Sequence, residues 1–399
     1  MKLSSRPPTA LLVTAAALFV PFVATRTAES SVYFVKLVCE SADRIVTVNF
    51  DGTKAEIIKQ TETRLLESDI SGPHGIAFSP DRKSFFVSIG HGRPYGSAVK
   101  YDAETDAASG QVQLGMFPAS MDVSPSGGFV YIVNFNLHGD PVPSSVSVVD
   151  AKMMVEAARI PTCVMPHGSR VTADGSRQYS GCMMDDLLVE IDARRMKLVR
   201  TFRLSKGAEA GFIGLPPEYA AMHSEDARSA SAASGAHAAS TVSGAKTMDM
   251  SAVTCQPTWA QPSVDGKRVY VACNKSSEIV EIDAERWTLV RRIQGGEGVY
   301  NLAVSPDGKL LVATNKRGPS ASIFDLTSGA ELARPKTKRK VVHGVVISPD
   351  SRYAFITIEG VGSEPGTLEI LDLASRTTVT TLDTPPQAAG IAFWKMQAR

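Results

Sequence analysis

The chain has 399 residues, of which 43% are hydrophobic, enough for two ordinary domains or for one large repeat domain with a sizeable core. Lys and Arg together number 42 against 41 Asp and Glu, giving a net charge of +1, and aromatic residues make up only 7%. With no basic stripe and few aromatics, nucleic acid is excluded as a partner on electrostatic grounds.

The first residues read as an address rather than a fold. Lys2 and Arg6 precede an apolar run from Ala10 to Ala24 that Pro21 interrupts. Residues 1–28 therefore predict a secretory signal peptide or, if uncleaved, an N-terminal anchor, which is the only contact with a membrane that the sequence suggests. Either outcome puts the folded part in the periplasm or outside the cell, where disulfides persist.

From residue 31 onward the sequence is a series of short apolar runs bounded by turn residues, each too short for a helix. The head supplies VYFVKLVCE, RIVTVNFDG and AEIIKQT. The clearest complete unit spans Cys255 to Ile293. An apolar run leads to a turn at Val264-Asp265-Gly266, VYVAC follows, a polar break at Asn274 to Ser277 precedes EIVEID, and WTLVRRI closes the unit. The turn recurs at Asp81, Ser126, Asp174, Asp265, Asp307 and Asp350. That spacing is roughly 40–45 residues with four strands per unit, the signature of propeller blades.

The period breaks once, between Asp174 and Asp265. Residues 205–254 lack alternating apolar runs and are rich in Ala, Ser and Gly, which predicts a disordered insertion rather than a further blade. Six turns give six blades, and the ends supply the seventh. Ala388 to Trp394 copies the start of the unit at Pro73 to Phe78, an innermost strand without partners, while the head is a set of partners without an innermost strand. The prediction is an all-β chain: one seven-bladed β-propeller over 31–399, closed by its N- and C-terminal strands, with the insertion inside it.

At this level of detail the chain resembles a known family. Tyr131-Ile132-Val133-Asn134, Val269 to Asn274 and Val312-Ala313-Thr314-Asn315, preceded by SPDG-like turns, are similar to the YVTN β-propeller repeat over roughly residues 31 to 395. Propellers of that kind include lactonases, the haem-binding propellers of cytochrome-type nitrite reductases, the copper propeller of nitrous oxide reductase and surface-layer proteins. The resemblance thus implies a fold and leaves the activity open.

Counting back from each turn gives the residue at which each inner strand starts: His74, Ala119, His167, Thr258, Tyr300 and His343, with Ala389 in the closing strand. Three histidines share one ring position, and the loops carrying His91 and His138, and the insertion with His223 and His237, reach the same face. Imidazoles at a channel mouth bind copper, zinc or haem iron, or act as acids and bases. His74, His167, His343 and Tyr300 are therefore candidate ligand-binding residues. The plainer alternative is that Pro-His-Gly simply suits a tight loop leading into a strand.

The cysteines admit two readings. Cys163 with Cys182, and Cys255 with Cys273, join neighbouring strands and predict a disulfide within each of two blades, leaving Cys39 free and buried. Alternatively, Cys163, Met165 and Cys182 bring soft sulfur beside His167, with Met222, Met248 and Met250 of the insertion nearby, a set suited to copper. No GxSxG, HExxH or P-loop is present, and the basic run Arg334 to Lys340 reads as a solvated loop or an anionic docking point. The expected function is an exported binding scaffold that holds a small ligand or a protein at its channel mouth. The alternatives are a copper- or haem-binding, oxidoreductase-like propeller and a lactonase-type hydrolase, for which the sequence offers no convincing acid–base set.

Overall fold

Strands form where β-branched and aromatic residues alternate with turn chemistry, and the turns are built by side chains. In five of the six turns used as landmarks a Ser or Thr hydroxyl donates to an Asp two residues on, as Ser305 does to Asp307 and Ser263 to Asp265, both at 2.6 Å. At the far end of each third strand an Asp accepts the N–H two or three residues later: Asp51, Asp102, Asp150, Asp192, Asp283, Asp325 and Asp372. Asp192 and Asp283 are thus turn-forming residues, as their recurrence in the repeat implies.

The computed structural model describes residues 1, 31–65, 70–91, 96–217, 219 and 253–399. They form seven antiparallel sheets arranged as a seven-bladed β-propeller. Blade one takes its innermost strand from the C-terminus, where Ala388–Ala398 pairs with Ser31–Cys39 so that Leu37 faces Ile391, and the ring is closed as expected. Blades two to seven start at Pro73–Phe78, Pro118–Val123, Pro166–Val171, Pro257–Pro262, Val299–Val304 and Val342–Ile347. Middle strands are buried from end to end, as in Leu187–Asp192 and Glu278–Asp283, because each blade is covered on both faces by its neighbours. Outer strands such as Ala55–Glu62 alternate half-buried and exposed residues.

The repeat motif has a mechanical meaning. In VATN, Thr314 accepts the N–H of Asn301 at 3.0 Å and donates to the His343 carbonyl at 2.9 Å, tying blade six to the inner strand of blade seven. Asn315 donates to Ser320 and Ser322, as Asn134 does to Ser145 and Ser147, fixing the next strand of the same blade. Gly75 follows His74 because a Cβ there would lie 2.3 Å from the Ala119 carbonyl of the adjacent inner strand. The Pro-His-Gly pattern thus reflects close packing of inner strands about the axis.

Two expectations need correction. The Cys163–Cys182 disulfide does not lie within one blade: Cys163 belongs to Val155–Val164, the outer strand of blade three, so the bond spans blades three and four. The segment 205–254 is not wholly without strand either, since Ala210–Ile213 pairs with Lys197–Arg203 as a fifth strand of blade four. Both feet of the insertion are held by Asp186, whose carboxylate accepts from Ser205, Thr254, Cys255 and Gln256. The segment 2–28, expected to be a signal peptide or anchor, and residues Met222, His223, His237, Met248 and Met250 lie outside the described residues. No helix among the described residues is long and apolar enough to cross a membrane.

Candidate functional site

Because seven inner strands converge on one axis, residues from non-adjacent blades meet there. The His74 ring lies 6.2 Å from that of His167 and 5.4 Å from that of His343, and Tyr300 lies 5.5 Å from His167 and 4.9 Å from His343, centre to centre. All four predicted ligand-binding residues occupy one cluster.

Their partners give them different roles. The Thr258 carbonyl, which can only accept, lies 2.7 Å from His167 Nδ1, so Nδ1 carries the proton and Nε2 accepts from the Tyr300 hydroxyl at 3.1 Å. Burial, reinforced by the charge of His74, holds the His167 imidazole down at about 3, so it is neutral at any ordinary pH. His74 donates Nδ1–H to Glu40 at 2.9 Å, leaving Nε2 as its basic nitrogen. Burial alone would raise Glu40, but the charge of His74 and hydrogen bonds from His74 and His91 bring it to about 2. His343 is buried with no hydrogen-bond partner at either nitrogen, and its nearest carboxylate, Glu359, is 3.6 Å away. Burial first, then the charge of Lys316, keeps its pKa well below the usual histidine value.

A second ring completes the mouth. The residue that follows each second strand is Glu40, Gly90, Phe135, Met183, Asn274, Lys316 or Glu359, and three of these seven are charged. Lys316 pairs with Glu359 at 2.9 Å and lies over the Tyr300 ring at 4.3 Å. Although burial opposes it, the fields of Tyr300 and Glu359 raise its pKa, so it stays cationic. Phe117 sits 5.6 Å from His74, 5.5 Å from His91 and 5.4 Å from His138, forming an aromatic wall toward blades two and three. Glu40, Lys316 and Glu359 were missed by sequence reasoning. Extending the register count by one residue past the second strand would have found them.

The residues do not fit the proposed metal. Cys163 and Cys182 are joined in a disulfide, as are Cys255 and Cys273, so no thiolate is available, and Met165 packs with Met183 against an apolar cluster. Both nitrogens of His167 are engaged. Among the described residues no group of three or more His, Cys, Asp or Glu is arranged to hold a metal ion. Cys39 is the one free cysteine, buried, with burial pushing its thiol up to about 12. In the basic run, Arg334 pairs with Glu331, and Lys338 and Arg339 pair with Asp383, so these charges are already answered.

No protein-family model matches the sequence, and no curated protein does. Solved structures share its fold. Hydrazine synthase from Kuenenia stuttgartiensis is 19% identical with a TM-score of 0.59, covering 83% of this chain and 92% of that one. The periplasmic gluconolactonase of Pseudomonas aeruginosa is 17% identical with a TM-score of 0.62, covering 91% and 99%. A functionally unknown protein from Desulfotomaculum acetoxidans is 14% identical with a TM-score of 0.63, covering 90% and 98%. At these identities the likeness is one of fold.

Proposed function

We propose that the channel mouth binds a small, oxygen-rich molecule and that the protein is an exported hydrolase of the lactonase type. The observation that carries this reading is the Glu40–His74 pair at 2.9 Å, which shares one opening with the Lys316–Glu359 pair. Glu40 accepts the Nδ1–H of His74 and so fixes its tautomer, leaving Nε2 to act as the general base. His74 Nε2 removes a proton from water as the water oxygen bonds to the lactone carbonyl carbon. The Lys316 ammonium stabilises the oxyanion that develops. Collapse breaks the ring C–O bond, and the proton held on His74 passes to the leaving alkoxide, giving the open hydroxy acid.

Two further facts support the reading. The gluconolactonase named above shares the propeller fold, and two disulfides suit an oxidising compartment, the periplasm or the outside of the cell. A panel of five- and six-membered aldonolactones followed by proton release tests it. Turnover above buffer, cut at least about 10²-fold in His74→Gln, is the expected result. If no lactone in the panel is hydrolysed, the hydrolase reading fails and the mouth is a binding site alone.

A further inference from the structure

Further along the inner strands, on the far side of the histidines from the mouth, the channel contains a cavity of about 40 Å³. Its lining includes His74, His343, Ser120, Arg170, Trp259 and Asn301. The chemistry of this lining is lopsided. Arg170 and the indole N–H of Trp259 can only donate. Asn301 uses its side-chain oxygen to accept the Leu302 N–H, so its amide NH₂ is what remains. Ser120 Oγ and Trp259 Nε1 are both buried and have no hydrogen-bond partner.

The charge is lopsided too. The Arg170 guanidinium donates to Gln261 Oε1 at 3.2 Å and to the Ser169 carbonyl at 2.9 Å, both neutral, and stacks over Trp259 at 4.7 Å. It forms no ion pair among the described residues. The nearby acid, Asp122, accepts the Val123 N–H with one oxygen at 2.9 Å and, with the other, the Val171 N–H beside Arg170 at 2.8 Å, so both oxygens are taken by backbone. Burial raises the Asp122 pKa while the charge of Arg170 opposes the rise, so Asp122 offsets the guanidinium only in part. A cation enclosed in a fold is ordinarily paired, because an uncompensated one is costly.

We infer that the central channel holds one small inorganic anion of the halide class, bound by Arg170 together with the donors of Trp259, Ser120 and Asn301. A water molecule uses acceptors as well as donors, and away from the two histidines this lining supplies chiefly donors. The cavity has room for an ion of that size. The site shares His74 in its lining with the chemistry proposed at the mouth, but its donors take no part in that chemistry, and it stands whether or not lactones are hydrolysed.

The test compares thermal unfolding of the full chain in sodium chloride, sodium bromide and sodium acetate at equal ionic strength, with bromide-soaked crystals measured at the bromine absorption edge. The expected results are a saturable rise of the unfolding midpoint with chloride and bromide over acetate, and an anomalous peak within contact of Arg170 and Trp259. Ser120→Ala, a small change, should weaken the halide response at least threefold. Arg170→Met should abolish the response and, in acetate, unfold at or above the wild-type midpoint, because it removes an unpaired cation. Identical wild-type midpoints in all three salts, bromine peaks only at the surface, or a full halide response retained by Arg170→Met would each overturn the inference. If Arg170→Met does not fold, the Ser120→Ala titration and the bromine map decide it.

Discussion

Tyr300 of blade six hydrogen-bonds His167 of blade four at 3.1 Å, passing over blade five, whose residue at the same ring position is the small Thr258. A larger side chain at that position would separate them. His167 is therefore a positioning residue: it holds the phenol over which Lys316 sits.

Replacing Tyr300 with Phe should cost about 1–3 kcal/mol, because it leaves His167 Nε2 buried without a partner. Urea unfolding at neutral pH measures the loss. The pH dependence follows from the depressed imidazole. Its folded pKa of about 3 lies below its unfolded value of 6.5, so its contribution to stability is full above pH 6.5 and is lost as pH falls toward 3. His167→Phe should flatten the stability curve across that window, a change that unfolding midpoints collected from pH 7 to 4 will show.

Glu40→Gln should cut lactone turnover about 10²-fold while leaving substrate affinity within a few fold, since the carboxylate acts on His74 rather than on substrate. The sign of its stability term is opposite in origin to that of His167 but points the same way. With a folded value of about 2 against an unfolded 4.5, Glu40 stabilises above pH 4.5 and loses that contribution as pH falls toward 2. Steady-state kinetics of Glu40→Gln beside His74→Gln, together with acid titrations, measure both effects. A kcat unchanged in Glu40→Gln would remove Glu40 from the mechanism.

The propeller and its histidines were legible because turns occur at a fixed register: a side-chain hydroxyl and an Asp two residues apart mark each hairpin, and the inner strand begins a constant distance before it. The charged half of the site was not. Glu40, Lys316 and Glu359 sit in loops where charge ordinarily signals solvent, and only the convergence of blades one, six and seven makes them face the axis. Cys163 was misplaced because the outer strand of blade three runs on through a register shift near Pro143 and Ser145, longer than the repeat average. Ala210–Ile213 carries no strand-like alternation of its own. It forms because the exposed edge at Lys197–Arg203 offers a ladder, and Arg203 covers Phe212 at 4.9 Å.

The two disulfides span 19 and 18 residues and involve different blades, Cys163–Cys182 across three and four and Cys255–Cys273 at five. In the chain-entropy picture a loop near that size contributes about 3 kcal/mol. Each Cys-to-Ser pair should lower unfolding free energy by about that amount, and the double removal should be close to additive. Chemical denaturation of the three variants without reductant, and of the wild type with and without it, checks this. The same experiment tests export, since a protein that keeps its full stability in reductant would have no need of an oxidising compartment.

Asp185 offers the clearest pH signature on the fold itself. One of its oxygens accepts the Val164 N–H at 2.7 Å while the other is buried, and the neighbouring carboxylate of Asp186 is occupied in holding the feet of the insertion. Burial, with the Asp186 charge adding to it, raises Asp185 to about 7. Its folded value therefore exceeds its unfolded 3.8, and the folded state holds the extra proton between the two. The contribution to stability is present at pH 4 and is lost as pH rises through 7, the reverse of His167 and Glu40. At about 1.4 kcal/mol per unit the span amounts to at most about 4 kcal/mol. Asp185→Asn keeps the neutral, hydrogen-bonding shape, so it should match the wild type near pH 4 and exceed its unfolding midpoint above pH 7. Unfolding curves for the pair at pH 4, 6 and 8 measure the crossover, and a constant difference across the three would mean that Asp185 ionises in the fold as it does in the unfolded chain.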